Sequence, residues 1–104
     1  MIAVSVLTVF AKDSVTPVII DARTTQEFDK GHVEGAVLVP YNQIGEKIGS
    51  FVKDKSQKVY IYCRSGRQSK IAKETLEKLG YKDIVDLGSL QDAAKILNRK
   101  IVNK

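Results

Sequence analysis

The chain has 104 residues, of which 43% are hydrophobic and 28% are charged, and its formal net charge at pH 7 is +5. That length suits one domain and excludes two, and the apolar share is large enough to build a core, which excludes a wholly disordered chain. The positive balance favours anionic ligands, but the lysines are scattered along the chain instead of forming a stripe, so no nucleic-acid partner is expected.

Residues 1–11 carry no charged side chain, and they have two interpretations. The apolar run from Ile2 to Phe10 is too short to span a bilayer as a helix. Because Val9-Phe10-Ala11 places small or aliphatic residues where a signal peptidase cleaves, residues 1–11 are predicted to be the tail of a secretory signal, although no Lys or Arg follows Met1. The alternative is an N-terminal edge strand, since the segment is rich in β-branched residues. The first interpretation predicts a periplasmic or otherwise exported protein, and the second a cytoplasmic one.

From Pro17 onward, short apolar runs alternate with segments of helical character. In chain order, the predicted elements are strand Val18–Ile20, helix Thr24–Phe28, strand Ala36–Val39, helix Gln43–Phe51, strand Lys58–Tyr62, helix Ser69–Leu79, strand Ile84–Val85 and helix Leu90–Leu97. Since each strand is followed by a helix, the sequence predicts a single α/β domain with a parallel sheet flanked by helices on both faces.

Capping residues support the ends of these helices. A threonine at the start of the helix Thr24–Phe28, Asn42 before the second helix and Ser89 before the last are residue types that accept hydrogen bonds from the first free N–H groups of a helix. Gly80 follows the most amphipathic helix and is the expected residue at its C-terminal end.

The carboxyl ends of the strands bring chemically active residues to one edge of the sheet. Asp21 and Arg23 follow the first strand, Cys63 follows the third, and Asp86 follows the fourth. In an open α/β sheet, ligands bind outside these strand ends. The sequence therefore predicts a site that contains a thiol, arginines and carboxylates.

A polar loop connects the third strand to the next helix. The loop is predicted to surround a bound anion with the residues Cys63, Arg64, Ser65, Gly66, Arg67, Gln68 and Ser69. Its backbone N–H groups, together with the N-terminus of a helix that begins at Ser69, can point at one centre and stabilise negative charge. The same field is expected to lower the pKa of Cys63, while Gly66 supplies the tight turn and Arg64 and Arg67 supply fixed charge for an oxyanion.

The alternative for Cys63 is a buried thiol of the core, which is a common place for a single cysteine. The polar residues that follow it favour a reactive cysteine instead. As the chain has one cysteine and one histidine, an internal disulfide and a zinc site of paired cysteines are excluded, and no metal ligand set or cofactor is predicted.

Three motifs resemble those of the single-domain rhodaneses, in the same order and at similar spacing. They are Asp21-Ala22-Arg23, Phe28-x3-His32-Val33-Glu34-Gly35-Ala36 and Tyr62-Cys63-Arg64-Ser65-Gly66, and the resemblance covers residues 17–97. It implies that residues 12–104 form a rhodanese-like domain. The loop and the short N-terminal lead are most similar to those of an exported thiosulfate sulfurtransferase. Gln68 stands where the family often has arginine, and Gly88-Ser89 where it often has two glycines.

The resemblance implies a sulfurtransferase reaction in two steps. Cys63 would take the outer sulfur of thiosulfate as a persulfide, and cyanide, a cellular thiol or a partner protein would then remove it. Arg64 and Arg67 would orient the anionic donor. The family's histidine is a structural hydrogen-bonder, which is the role implied for His32. Asp21 is expected to support the site by fixing Arg23 or an arginine of the loop.

Two alternatives to this activity remain open. The domain could bind or carry sulfur for a partner protein without turning over thiosulfate. It could also be a phosphatase or an arsenate reductase, since those enzymes hold a cysteine in an anion-binding loop. A phosphatase loop of the C-x5-R type needs arginine six residues after the cysteine, and that position is Ser69.

Overall fold

Four short strands form a parallel sheet at the centre of the protein. A computed structural model describes residues 17–103, so the choice between a secretory signal and an edge strand at residues 1–11 falls outside the described residues. The elements are β1 (Val18–Asp21), α1 (Thr25–Lys30), β2 (His32–Val33), β3 (Val37–Leu38), α2 (Ile44–Lys47), β4 (Val59–Cys63), α3 (Arg67–Lys78), β5 (Ile84–Ser89), α4 (Leu90–Leu97) and β6 (Ile101–Val102). The sheet order is β3-β1-β4-β5 with every neighbouring pair parallel.

Both faces of the sheet are covered, as the alternation of strands and helices predicted. Ile20 and Ile61 belong to a core cluster on the face that packs against α3, whereas Ile19 and Tyr62 belong to a cluster on the face that packs against α4. Successive side chains of a strand point to opposite faces, so each central strand contributes to both clusters. The single α/β domain with flanking helices is confirmed.

The structure differs from the predicted elements in three main respects. The helix expected over Gln43–Phe51 is instead a chain of short pieces, with α2 between the 3₁₀ turns Tyr41–Gln43 and Ile48–Ser50. Asn42 lies inside the first turn and caps nothing, and the glycines within the segment explain why a continuous helix does not form. The fourth strand is longer than expected, because β5 continues through Asp86 to Ser89.

The third correction concerns β2 and β6, which the sequence pattern did not predict. They form a two-residue antiparallel ribbon in which His32 pairs with Val102 and Val33 with Ile101. Strands of this length carry no periodicity that a sequence could show.

The predicted caps of α1 and α4 are present. The Thr24 hydroxyl accepts from the Glu27 N–H at 3.2 Å, and the Glu27 side chain accepts in return from the Thr24 N–H. Ser89 accepts from the Asp92 N–H at 3.1 Å. None of the helices within residues 17–103 is long and apolar enough to cross a bilayer.

Tyr62 joins the central sheet to the β2–β6 ribbon. Its side chain is fully buried, and its hydroxyl accepts a hydrogen bond from the Val33 N–H at 3.0 Å. Burial raises the pKa of Tyr62, so the hydroxyl stays protonated throughout the physiological range.

We predict that Tyr62→Phe lowers the free energy of unfolding by about 1–2 kcal/mol, because the buried Val33 N–H loses its acceptor while the ring is kept. Urea unfolding of the reduced protein measures this change. Tyr60→Phe is the matched control, since Tyr60 lies in the same strand and its hydroxyl has no hydrogen-bond partner within residues 17–103. An equal loss in both variants would contradict the prediction.

Candidate active site

Cys63 is the last residue of β4, and its side chain lies on the face of the sheet that packs against α3. Only 1% of the residue is exposed to solvent. Its neighbour across the sheet is Ser89, the last residue of β5. A buried thiol and a reactive thiol were the two alternatives for Cys63. The structure combines features of both, because the thiol is buried and hydrogen-bond donors lie around its sulfur.

The turn between β4 and α3 is shorter than the predicted loop. Helix α3 begins at Arg67, two residues before the predicted start at Ser69, so only Arg64, Ser65 and Gly66 lie between strand and helix. Gly66 has φ = 94°, in the left-handed region, and its N–H donates to Cys63 Sγ at 2.9 Å. A residue with a side chain adopts this conformation at a cost, so the glycine lets the chain enter α3 while its N–H stays on the sulfur.

The surroundings of Cys63 favour its ionised form. Burial by itself would raise the pKa of the thiol, but the Ser69 hydroxyl and the backbone N–H groups of Ser69, Gly66 and Ser65 outweigh it. The pKa of Cys63 therefore lies below the ordinary value of a thiol. This agrees with the expected effect of an anion-binding turn at a helix N-terminus.

Ser69 connects Cys63 to Asp86. The fully buried Ser69 hydroxyl lies 3.5 Å from Cys63 Sγ, 3.1 Å from the Gly66 carbonyl oxygen and 2.6 Å from Asp86 Oδ1. The Gly88 N–H donates to the same carboxylate oxygen at 3.0 Å. The sequence placed Asp86 at this edge of the sheet but gave no reason to connect it with the loop.

The remaining loop side chains face outward. Arg64, Ser65 and Arg67 are exposed, and Gln68 is half-buried in the first turn of α3. Neither arginine forms an ion pair within the part of the chain that is described. Both guanidinium groups therefore remain available to an anion that approaches the turn.

Asp21 and Arg23 form a buried pair on the other face of the sheet. Arg23 Nε donates to Asp21 Oδ1 at 2.9 Å, and Nη2 donates to Oδ2 at 2.7 Å and to the Gly31 carbonyl oxygen at 2.6 Å. The guanidinium also lies 5.7 Å from the centre of the Tyr62 ring, close enough for a cation–π contact. Of the two partners considered for Asp21, the structure shows Arg23.

His32 is hydrogen-bonded to α1, and it makes no hydrogen bond to the loop of residues 63–69. Its Nδ1 lies 2.8 Å from the Phe28 carbonyl oxygen, and its ring stacks on that of Phe28 with centroids 3.7 Å apart. Since a carbonyl oxygen only accepts, Nδ1 carries the proton. This is the geometry of a structural hydrogen-bonder. Across residues 17–103, no group of three or more His, Cys, Asp or Glu side chains could hold a metal ion.

These contacts define what the site can do. A buried sulfur nucleophile lies beneath a turn of N–H donors, and two exposed guanidinium groups flank the same turn. Such a site suits attack on a small anionic electrophile and stabilisation of the anion that the attack leaves on sulfur.

Comparison with known proteins gives one family. The profile of the rhodanese-like domain matches residues 8–93. Thiosulfate sulfurtransferase PspE of Escherichia coli is 40% identical over 75 residues, which is 72% of each chain. The putative sulfur carrier protein YrkF of Bacillus subtilis is 30% identical over 69 residues, or 66% of this chain and 36% of that protein.

Solved structures agree with the sequence matches. A structure described as rhodanese with anions from E. coli is 35% identical, with a TM-score of 0.78, and it covers 86% of this chain and 100% of its own. The rhodanese-like domain of the Alr3790 protein from Anabaena has a TM-score of 0.73 at 23% identity, covering 84% of this chain and 99% of its own, and it shares the fold.

We predict that Gly66→Ala lowers the free energy of unfolding by about 1–2 kcal/mol, the cost of a side chain in the left-handed region. Relief of that strain would turn the Gly66 N–H away from the sulfur, so the pKa of Cys63 should rise. The rate of alkylation by iodoacetamide, measured against pH, gives this pKa directly.

Gly49→Ala is the matched control for that experiment. No heavy atom lies within 4 Å of the Cβ it would add, and its φ is not positive. It should change stability by less than about 0.5 kcal/mol and leave the alkylation profile unaltered. A Gly66→Ala protein with the wild-type alkylation profile would show that the turn does not set the ionisation of Cys63.

Proposed function

The chain belongs to the rhodanese family of sulfurtransferases, and from this premise we propose that it moves sulfane sulfur from thiosulfate to a thiol or to cyanide through a persulfide on Cys63. The observation that carries the proposal is the Gly66 N–H aimed at the Cys63 sulfur at 2.9 Å, with further donors on the same turn. Similarity to a protein named as a thiosulfate sulfurtransferase supports the choice of donor.

In the first half-reaction, the Cys63 thiolate attacks the outer sulfur of thiosulfate. The new S–S bond forms as the bond between the two sulfurs of thiosulfate breaks, and sulfite leaves with the bonding electron pair. The product is a Cys63 persulfide whose terminal sulfur is negatively charged. Backbone N–H groups stabilise this charge in place, so the step needs no general base beside the thiolate.

In the second half-reaction, an acceptor attacks the terminal sulfur. The bond between this sulfur and Cys63 breaks, and the Cys63 thiolate is regenerated as the leaving group. A cyanide acceptor becomes thiocyanate, and a thiolate acceptor becomes a persulfide. The donors that lower the pKa of Cys63 also favour its departure.

In this proposal, Arg64 and Arg67 bind the sulfur donor thiosulfate. Their exposed guanidinium groups flank the turn, and forked N–H donors match the sulfonate end of thiosulfate. Ser69 occupies the position at which a C-x5-R phosphatase loop has arginine, and it is buried against Asp86. No charged side chain at that position would stabilise a phosphoryl group.

We predict that Cys63→Ser abolishes sulfur transfer from thiosulfate to cyanide, because a serine hydroxyl is neither ionised at neutral pH nor able to carry sulfane sulfur. Mass spectrometry of the wild-type protein after thiosulfate treatment should show one added sulfur atom at Cys63, and none on the variant. Matching thermal unfolding of the two proteins is the control for fold. Transfer at the wild-type rate by Cys63→Ser would refute the proposal.

We predict that Arg67→Ala lowers kcat/KM for thiosulfate about five- to tenfold, which corresponds to about 1–1.4 kcal/mol of lost interaction with the dianion. An aryl thiosulfonate, which carries one negative charge, should lose less. Lys70→Ala is the control, since it removes an exposed cation one turn further along α3. Equal losses for both donors would mean that Arg67 shapes the turn instead of binding charge.

A sulfur-carrier function is the second candidate, and similarity to the putative carrier YrkF favours it. A carrier would load Cys63 once and pass the sulfur to a partner protein, whereas the enzyme turns over thiosulfate repeatedly with a small acceptor. With thiosulfate and cyanide supplied, production of more than one equivalent of thiocyanate per protein would indicate the enzyme, and a single equivalent would indicate the carrier.

We also propose that residues 1–11 are the tail of a secretory signal, on the basis of their uncharged, apolar composition and the Val9-Phe10-Ala11 sequence. The protein isolated from its host should then begin at or near Lys12 and fractionate outside the cytoplasm. N-terminal sequencing that finds Met1 intact would support the edge-strand interpretation.

A further inference from the structure

The protonated Cys63 thiol donates to the Ser69 oxygen. Once the sulfur is ionised, three acceptors lie within reach of the single Ser69 proton. Asp86 Oδ1 lies at 2.6 Å, the Gly66 carbonyl oxygen at 3.1 Å and Cys63 Sγ at 3.5 Å. A hydroxyl serves one acceptor fully at a time, and charged acceptors form the stronger bonds. The two acceptors that carry charge are the Asp86 carboxylate and the ionised Cys63 sulfur.

Asp86 is fixed in place by the backbone of its own strand. The register of β4 and β5 shifts between Ile61 and Tyr62, so Ile61 pairs with Asp86 and Tyr62 with Gly88, and Leu87 is the extra residue of a bulge. Gly88 has φ = 84°, and its N–H donates to Asp86 Oδ1 at 3.0 Å. This oxygen therefore keeps a donor even when the Ser69 proton turns elsewhere.

We propose that Asp86 is a positioning residue that controls the charge on Cys63 by competing with its sulfur for the single proton of the Ser69 hydroxyl. The consequence for sulfur transfer rests on the function proposed above. When the Cys63 sulfur is uncharged, as a thiol or as the inner sulfur of a persulfide, the hydroxyl donates to Asp86. When the sulfur becomes a thiolate, the proton is shared with it, and Asp86 limits how strongly that thiolate is stabilised.

This competition acts on the two half-reactions in opposite directions. A less stabilised thiolate is a better nucleophile towards thiosulfate and a poorer leaving group from the persulfide. Removal of the Asp86 charge should therefore slow the loading of sulfur and speed its discharge. A variant with a merely distorted site would slow both steps.

The other charged groups near the turn leave this competition intact. Arg64 and Arg67 are exposed and make no hydrogen bond to Ser69 or Asp86 in the described part of the chain. Asp92, on α4, lies near Gly88 but is exposed, and within residues 17–103 it makes no hydrogen bond to Ser69. Asp92→Asn therefore removes one negative charge from the neighbourhood without removing the contested acceptor.

The test compares Asp86→Asn with Asp92→Asn, each in the wild-type and Ser69→Ala backgrounds. Iodoacetamide alkylation against pH reports the ionisation of Cys63 without any sulfur donor. Asp86→Asn should move the midpoint to lower pH and lower the alkylation rate of the fully ionised thiol about two- to fivefold, because nucleophilicity falls with basicity. Both effects should shrink when Ser69 is absent, and Asp92→Asn should show neither.

Single-turnover kinetics give the second readout. In Asp86→Asn, loading by thiosulfate above the midpoint should slow about two- to fivefold, and discharge of the persulfide to a small thiol should accelerate by a similar factor. An equal shift with and without Ser69 would overturn the proposal in favour of a direct charge effect. Slowing of both half-reactions would overturn it in favour of a structural role.

Two features keep this test separate from the proposed function. If the wild-type protein takes up no sulfur from thiosulfate, the sulfurtransferase proposal fails, but the alkylation profiles still decide whether Asp86 acts on Cys63. If Asp86→Asn does not fold, Ser69→Ala tests the step on which the competition depends, which is donation of the Ser69 proton to the thiolate. Loss of the shared proton should raise the midpoint, and an unchanged or lower midpoint would contradict the proposal.

Discussion

The three-residue turn between β4 and α3 is the constraint on which the site depends. Cys63 ends a strand that is buried on both sides, and α3 begins only four residues later. A chain this short enters the helix because Gly66 adopts a left-handed conformation, and the Gly66 N–H donates to the Cys63 sulfur. The same residue therefore closes the connection and supplies the charge stabilisation.

The two faces of the sheet hold different parts of the candidate site. Asp21, Arg23 and Tyr62 lie on one face, where a buried ion pair and a buried hydroxyl hold β1, β4 and the β2–β6 ribbon together. Cys63 lies on the other face with α3. Because neighbouring residues of a strand point to opposite sides, adjacent Tyr62 and Cys63 serve these two roles within one strand end. The buried ion pair of Asp21 and Arg23 stabilises this end of the sheet and makes no hydrogen bond to Cys63.

The bulge in β5 extends the site beyond the loop. Without the extra residue at Leu87, the strand register would place Asp86 and Gly88 differently relative to β4. With it, the Asp86 carboxylate meets the Ser69 hydroxyl at 2.6 Å, and Gly88 lies next to Gly66, whose added Cβ would be 3.5 Å from the Gly88 Cα. Bulges often re-aim side chains near active sites, and this one aims a carboxylate at the hydroxyl that lies 3.5 Å from Cys63 Sγ.

The sequence by itself determined the features that depend on neighbouring residues. Apolar runs gave the four parallel strands, Thr24 and Ser89 marked where helices begin, and the polar residues after Cys63 located the loop, because periodicity and capping act over a few residues. The tertiary structure alone decided which distant groups meet. The choice of Arg23 as the partner of Asp21, the pairing of His32 with Val102, and the contact of Ser69 with Asp86 follow from strand register, a bulge and a left-handed glycine. Those depend on how the whole sheet packs, so no local pattern in the chain records them.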